Sequence, residues 1–212
     1  DNRRKSGALP IHLRRSIMTH MIARRKTRQV LVGDSRVGVV AIGGDAPVSV
    51  QTMTAGYTHE IDKCVAEIHK LAAAGADIVR VAVPEKKDTA ALKEILPQVT
   101  VPIVADVHFH FQRALEAIDA GVHKIRLNPG NIRDEKKTRE VVEAAKARGI
   151  PIRIGVNMGS LAPDLEKTLG LSPEAMVESA MRHVEILESL NHTDMIVSLK
   201  AHDAITTVHA YR

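Results

Sequence analysis

The chain has 212 residues and a formal net charge of +5, and its sequence is 44% hydrophobic but only 2% aromatic, with no tryptophan. Proteins that bind nucleic acid by base stacking need aromatic side chains, so this composition argues against nucleic acid as a partner. No run of about 18 apolar residues is present, so we expect no membrane-spanning segment. A core of Val, Ile, Leu and Ala favours parallel strands that are covered on both faces.

The positive charge is concentrated at the amino-terminal end. Residues 1–28 contain nine Lys or Arg and a single acid, Asp1, whereas the rest of the chain has 21 bases and 24 acids. We therefore expect residues 1–28 to be a basic, disordered extension and residues 29–212 to form the folded domain. A targeting peptide is the alternative for this Arg-rich segment, although no cleavage signal stands out.

The predicted elements begin with a hairpin at residues 29–44, which we expect to cap the bottom of the domain. A unit of strand followed by helix then recurs, and its strands are short, β-branched and almost continuously apolar. The strand candidates are residues 48–53, 78–83, 102–107, 124–128, 151–157 and 195–200.

Helical periods separate these strands, and turn residues mark their ends. Apolar residues recur at helical spacing within 61–71, 114–118 and 141–145, and Ser172 followed by Pro173 predicts the start of a long helix. The helices before three of the strands end in a glycine, the residue preferred at that position; these are Gly75, Gly121 and Gly149.

This alternation predicts parallel strands with right-handed crossovers. Several strands start 22–27 residues apart, and no Gly-rich phosphate loop follows the first strand. Both observations favour a (β/α)8 TIM-type barrel over an open doubly wound sheet. Six strands are two fewer than closure requires, so we expect the barrel to be incomplete in this chain.

Four cations recur at nearly equivalent points of the apolar strands: Arg80, Arg126, Arg153 and Lys200. A buried guanidinium costs several kcal/mol unless it is paired, and an internal salt bridge would explain any one arginine. The strands supply a single carboxylate, Asp106, so salt bridges cannot explain the whole set. A pocket with this excess of cations suits a small ligand with two or more phosphate charges, at the carboxyl ends of the strands.

Further polar residues follow the same strand ends: Gln51, Thr52, Asn128, Asn131 and Asn157. Gly130 lies between the two asparagines of the fourth strand end, where it would let the backbone approach a ligand. Asp106 and His108 are two residues apart on one strand, so their side chains point to the same side. They are therefore the candidate catalytic residues, with His108 serving proton transfer or a hydrogen bond to phosphate.

A dinuclear metal hydrolase is an alternative reading, because His108 and His110 are spaced to share a metal ion and Lys200 is available. The fourth and fifth strands end in Asn rather than in the His that such hydrolases use. The other histidines lie on helices or at helix ends, where we expect them to be solvated; these are His69, His123, His183 and His192. The single cysteine, Cys64, shares a helical face with Ile61 and Ile68, so we expect a buried structural thiol and no cysteine-ligated metal from this chain.

Seven strings in this chain resemble the 4-hydroxy-3-methylbut-2-enyl diphosphate synthases, the iron–sulfur enzymes of the methylerythritol phosphate route to isoprenoids. The match runs from about residue 24 to 212, and the NPGN and IRIGVN strings are its most specific parts. The strings are GGDAPVSVQTMT (43–54), GADIVRVAVP (75–84), PIVADVHF (102–109), IRLNPGNI (125–132), IPIRIGVNMGSL (150–161), ESAMRHVE (178–185) and VSLKA (197–201).

The resemblance implies a barrel that binds 2-C-methyl-D-erythritol 2,4-cyclodiphosphate and a separate domain with a 4Fe–4S cluster, whose ligands this chain lacks. It also implies a homodimer, a ferredoxin- or flavodoxin-type electron donor, and a cytoplasmic bacterial protein, with plastid targeting by the basic extension as the alternative. Carried over by position, the diphosphate would be held by Arg80, Arg126, Arg153 and Lys200, with Asn128, Asn157 and His108 beside them.

Two other functions stay open at this point. One is another phosphate-handling barrel, such as a pterin-diphosphate transferase, which needs no cluster. The other is an anion-binding scaffold without catalytic activity. If the resemblance holds, the chain alone should show no turnover, because the residues that bind the cluster lie outside it.

Overall fold

A computed structural model of the protein describes residues 25–108, 110–129, 131–132 and 134–212. Strands β1 (Val30–Asp34) and β2 (Gly38–Ile42) form an antiparallel hairpin, as predicted. Six parallel strands follow in sequential order: β3 (Gln51–Met53), β4 (Ile78–Ala82), β5 (Ile103–Val107), β6 (Lys124–Leu127), β7 (Ile152–Asn157) and β8 (Met195–Lys200).

Helices connect these strands in the expected alternation. They are α1 (Ile61–Ala73), α2 (Lys86–Ile95), α3 (Phe111–Ala120), α4 (Glu135–Ala147), α5 (Pro163–Leu169), α6 (Pro173–Ser189) and α7 (Ala204–Tyr211). None of the described helices is long and apolar enough to cross a membrane. Most of the basic extension predicted for residues 1–28 lies outside the described residues, as does Gly130.

One face of the six-stranded sheet packs against the helices. Its side chains are fully buried aliphatic residues such as Val79, Ile103, Ile125 and Ile152. They form a single core with the inward stripes of the helices, in which Ile68 of α1 and other helix residues take part. Burial of each such side chain contributes about 1.5–3 kcal/mol, so this interface is the main source of stability.

The hairpin covers the amino-terminal ends of the strands. Val32 of β1 is fully buried against Ile78 and Val104, at the starts of β4 and β5. A second contact joins the hairpin to the same end: the Ile103 amide donates to Nδ1 of His123, and Nε2 of His123 lies 3.3 Å from the Asp34 carboxylate. The prediction that the hairpin caps the bottom of the domain is therefore confirmed.

The predicted helix ends are also confirmed. The Ser172 hydroxyl accepts a hydrogen bond from the Ala175 amide at the start of α6, with Pro173 in the first helical position. Gly75, Gly121 and Gly149 all have a positive φ, of 100°, 92° and 64°. Only glycine adopts this backbone conformation without steric cost, so these residues end their helices just before β4, β6 and β7.

Two expectations are corrected. The first parallel strand begins at Gln51 rather than at residue 48, because β3 is an edge strand of the described sheet and leaves Val48 largely exposed. We expected the histidines outside the strand ends to be solvated, but His123, His183 and His192 are buried. Burial of a histidine costs less where a ring nitrogen forms a hydrogen bond with the backbone, as Nε2 of His183 does with the Ile132 carbonyl.

Candidate functional site

The other face of the sheet carries the predicted cations. Alternate residues of a strand point to opposite faces, and parallel neighbours in register point to the same face. The register pairs Asp106 of β5 with Arg126 of β6 and Arg126 with Arg153 of β7, so these three side chains share the face opposite the helices. The structure thus brings together charged residues that are up to 47 positions apart in the sequence.

Arg126 is the most deeply placed of the predicted arginines and is almost completely buried. Its Nη1 donates to Oδ1 of Asp106 at 3.1 Å, and its Nη2 donates to the Gly155 carbonyl at 2.8 Å. A Cβ added at Gly155 would lie 2.5 Å from Nε of Arg126. The guanidinium can therefore occupy this position only because residue 155 has no side chain.

Asp106 is the centre of the ion pairs in this site. Besides Arg126, its carboxylate contacts Nε of Arg80 at 3.4 Å and Nε2 of His108 at 3.2 Å. Burial opposes ionisation of Asp106, but the hydrogen bond from His108 and the charges of Arg126 and Arg80 outweigh it and lower the pKa of the carboxyl below its usual value. The candidate catalytic pair, Asp106 and His108, therefore lies in contact and next to two arginines.

Arg153 lies deep in the same face, whereas Lys200 is exposed at the strand end. Nε of Arg153 donates to the Ser198 hydroxyl at 2.9 Å. Its pKa is lowered by burial and by repulsion from Arg80 and Arg126, and no carboxylate of the described residues lies within salt-bridge distance of it. Lys200 pairs in register with Asn157, so these two residues reach the carboxyl end of the sheet together.

Asn128 lies at the end of β6 and is buried. Its side-chain amide donates to the Ser160 hydroxyl at 3.0 Å, which joins the loop after β6 to the loop after β7. The Asn128 carbonyl accepts hydrogen bonds from the amides of Asn131 and Ile132, so this loop turns back on itself. Asn128 is two residues beyond Arg126, so it lies on the same side of the sheet as the cations.

Sequence reasoning missed Lys124, which lies two residues before Arg126 and is 1% exposed. Its Nζ donates to Oε1 of Gln51 at 2.9 Å. Burial lowers the pKa of Lys124 to about 7, and repulsion from Arg153 and Arg80 adds to this effect. The two-residue spacing from Arg126 was a usable signal, because it places both side chains on the same face of β6.

The charge balance agrees with the sequence argument and extends it. The six described strands hold one carboxylate, Asp106, and five basic residues: Arg80, Lys124, Arg126, Arg153 and Lys200. Asp106 neutralises part of this charge through its contacts with two arginines. The remaining excess makes the face attractive to a multiply charged anion, which arginines grip through pairs of hydrogen bonds.

The residues of this chain do not fit an iron–sulfur cluster. Cys64 is the only cysteine in the sequence and is buried in the helix–sheet core, where burial raises the pKa of its thiol to about 11. Among the described residues, no group of three or more His, Cys, Asp or Glu could hold a metal ion. His108 and His110 thus lack a third ligand in the described chain, which weighs against the metal-hydrolase reading.

A separate concavity of about 650 Å³ lies between α4, α5 and α6. Its two arginines already have acidic partners, since Arg139 contacts Glu135 and Arg182 contacts Asp164, each at 2.7 Å. The excess of unpaired positive charge is on the inner face of the sheet instead. We therefore take the inner face as the functional site.

The fold and this site define the chain as a parallel β/α barrel protein with a positively charged face on its described strands. A family model described as the GcpE TIM-barrel domain matches residues 27–212, and the chain belongs to this family. The TIM-type barrel predicted from the sequence is thereby confirmed, with six of its parallel strands present in the described residues.

Curated relatives agree with the family assignment. The 4-hydroxy-3-methylbut-2-en-1-yl diphosphate synthase (flavodoxin) of Acidithiobacillus ferrooxidans is 54% identical over 90% of this chain and 51% of its own length. The protein of the same name from Rhodospirillum rubrum is 53% identical over 90% of this chain and 49% of its own length. The chain therefore spans about half the length of the curated relatives it matches, and its resemblance to this enzyme family is confirmed over that half.

Solved structures support the fold at low sequence identity. The phospho-2-dehydro-3-deoxyheptonate aldolase of Thermotoga maritima has a TM-score of 0.55 at 10% identity, over 84% of this chain and 49% of that one. The dihydropteroate synthase of Yersinia pestis has a TM-score of 0.53 at 14% identity, over 81% of this chain and 64% of that one. Similarity at this level concerns the barrel architecture only.

Proposed function

We propose that this chain is the substrate-binding barrel of an enzyme that converts 2-C-methyl-D-erythritol 2,4-cyclodiphosphate to 4-hydroxy-3-methylbut-2-enyl diphosphate. The observation that carries the proposal is the inner face of the sheet, where five basic residues face a single carboxylate. The relatives that are more than 50% identical carry the name of this synthase and support the same reaction.

The substrate's chemistry matches this face. A cyclic diphosphate carries two negative charges on adjacent phosphorus atoms, and its conversion takes up two electrons and two protons, opens the ring and releases one water. The diphosphate stays on the product, so a site that binds it firmly holds the molecule throughout the reaction. Arg126, Arg153 and Lys200 would hold these phosphate oxygens, with Arg80 beside them.

Asp106 would act as a positioning residue. It contacts Arg80, Arg126 and His108, so its carboxylate holds three potential hydrogen-bond donors on one side of the site. With its pKa lowered, Asp106 stays ionised at neutral pH and keeps this arrangement. The His108 side chain is 38% exposed, so it would be accessible to exchange a proton with a bound substrate.

The electrons must come from elsewhere in the intact protein. A 4Fe–4S cluster would supply single electrons, but the one buried cysteine of this chain cannot ligate it, so we assign no step to residues 1–212 beyond binding, orientation and proton transfer. By analogy with the names of the relatives, a flavodoxin-type protein is the proposed electron donor. A homodimer and a cytoplasmic location complete the proposal on the same family resemblance.

The test is the affinity of the intact protein for the cyclodiphosphate, measured by calorimetry. We expect Arg126→Ala to weaken binding by about 2–5 kcal/mol, or roughly 30-fold to several thousand-fold, because a buried charge pair is removed. Arg148→Ala is the matched control, since Arg148 is exposed and pairs with Asp119 on the outer surface. Unchanged affinity in Arg126→Ala would rule out the inner face as the diphosphate site.

A further inference from the structure

Lys124 is a buried lysine without a carboxylate partner in the described structure. It begins β6, and its hydrogen-bond partner is the neutral side-chain amide of Gln51 at 2.9 Å. Lysine is almost never fully buried unless it is paired with an acid, because the ammonium loses its hydration. Its burial under the arginines therefore needs an explanation beyond the fold.

The groups that face Lys124 come from each neighbouring strand. Gln51 is on β3, Arg80 on β4, Arg153 on β7, and Arg126 lies two residues further along β6 itself. Asp106 of β5, the one acid of these strands, is engaged by Arg80, Arg126 and His108. Ser198 of β8 adds no charge and accepts a hydrogen bond from Arg153. Lys124 is thus surrounded by positive charge that the one carboxylate does not balance.

We propose that Lys124 is a further anion-binding group of this site, which takes up a proton when a polyanion binds and so makes binding stronger as the pH falls. A diphosphate on the arginines would neutralise the charges that now repel the Lys124 ammonium. The ammonium would then add its own attraction to the bound anion. This inference rests on one part of the proposed function, which is that a polyanion binds to the inner face.

The pH range of the effect follows from the two states of the site. In the free site the pKa of Lys124 is about 7, so the side chain is largely neutral above that pH. A bound anion favours the ammonium and raises the pKa towards the ordinary value for lysine, about 10.4. Between these two values, binding takes up as much as one proton, so affinity falls by up to about tenfold for each pH unit.

The experiment is calorimetry on the intact protein at pH 8, in buffers that differ in their enthalpy of ionisation. The probes are the cyclodiphosphate and inorganic sulfate. Neither anion titrates near this pH, because each phosphorus of the cyclodiphosphate has a single strongly acidic oxygen.

We expect proton uptake of up to one per site in the wild-type protein, and affinity that falls between pH 7 and 9. Lys124→Met, which keeps the length of the side chain without its charge, should bind more weakly at pH 7 and show neither uptake nor this pH dependence. Lys124→Arg keeps a permanent charge, so it should retain affinity at pH 9. If neither variant folds, the wild-type measurement decides by itself.

The outcomes separate this inference from the proposed function. Binding of either anion without proton uptake, or uptake that is as large in Lys124→Met as in the wild type, would overturn the role of Lys124. Sulfate binding with uptake that depends on Lys124, but no binding of the cyclodiphosphate, would support the inference and refute the proposed substrate. Binding of the cyclodiphosphate without proton uptake would support the proposed substrate and refute the role of Lys124. If neither anion binds, both are wrong.

Discussion

The two faces of the six-stranded sheet differ in what they contribute to the protein. The outer face buries aliphatic side chains such as Ile103 and Ile152 against the helices. The inner face buries Lys124 and Arg126 with one carboxylate, Asp106, among several cations. Buried charges that are incompletely paired cost stability, so the outer face must stabilise the inner one. The comparison shows that the apolar packing of the outer face offsets the cost of burying incompletely paired charges on the inner face.

The largest expected effect is on the outer face. Ile152→Ala should lower the free energy of unfolding by about 2–5 kcal/mol, because it leaves a cavity at a fully buried position. Affinity for the cyclodiphosphate should stay the same under conditions in which the variant is folded. Chemical denaturation and calorimetry on the intact protein measure the two quantities. Leu31→Ala, at a β1 residue that is 57% exposed, is the control and should cost less than 1 kcal/mol, on the order of a surface substitution.

Adding one methyl group on the inner face should instead lower the affinity for the cyclodiphosphate. Gly155→Ala places a Cβ 2.5 Å from Nε of Arg126 and so displaces the guanidinium. We expect affinity for the cyclodiphosphate to fall by about 1.4–2.8 kcal/mol, which is roughly tenfold to a hundredfold. Gly159→Ala is the matched control, because its nearest neighbour, Nε2 of His202, is 3.7 Å away and leaves room for a methyl group. Equal losses in both variants would show that Gly155 does not act through Arg126.

The last prediction is a pH dependence of stability without ligand, and its effect within one pH unit is the smallest of the three. The folded pKa of Lys124 lies below its unfolded value, so between about pH 7 and 10 the unfolded state binds more protons and stability rises with pH. The slope from this one group is at most about 1.4 kcal/mol per pH unit. Denaturation of the wild type and of Lys124→Met across this range measures it by difference. If the free energy of unfolding changed with pH in the same way in both proteins, Lys124 would already be charged in the free site. Burial of charge on the inner face would then cost less stability than we infer.

Much of the fold was predictable from local signals. The strands are runs of β-branched residues, and Gly75, Gly121 and Gly149 marked the helix ends because few other residues tolerate their backbone conformation. The strand-end cations Arg80, Arg126, Arg153 and Lys200 were recognised by their unexpected position in apolar strands. Helix α2 was not named in advance, since its charged residues obscure the apolar stripe that Leu92 and Ile95 form.

The parts that escaped prediction depend on partners distant in the sequence. Lys124 resembled a strand-opening surface lysine until the sheet placed Gln51 beside it, 73 residues away. Gly155 resembled an ordinary strand glycine, and only the approach of Arg126 shows why a side chain is excluded there. His123 looked solvated because its contact with Asp34 of the hairpin spans 89 residues.

The sequence by itself determined that apolar strands alternate with helices and that several of those strands carry a cation. It also determined which residues of a strand share a face, because alternate side chains point to opposite faces of a sheet. It also determined that one carboxylate would have to serve several basic groups. The tertiary structure alone decided which groups share it. Register between neighbouring strands places Asp106 beside Arg126, and it places the Gln51 amide, rather than a carboxylate of the described strands, beside Lys124. Those pairings depend on how six strands align in space, and no single segment encodes that alignment.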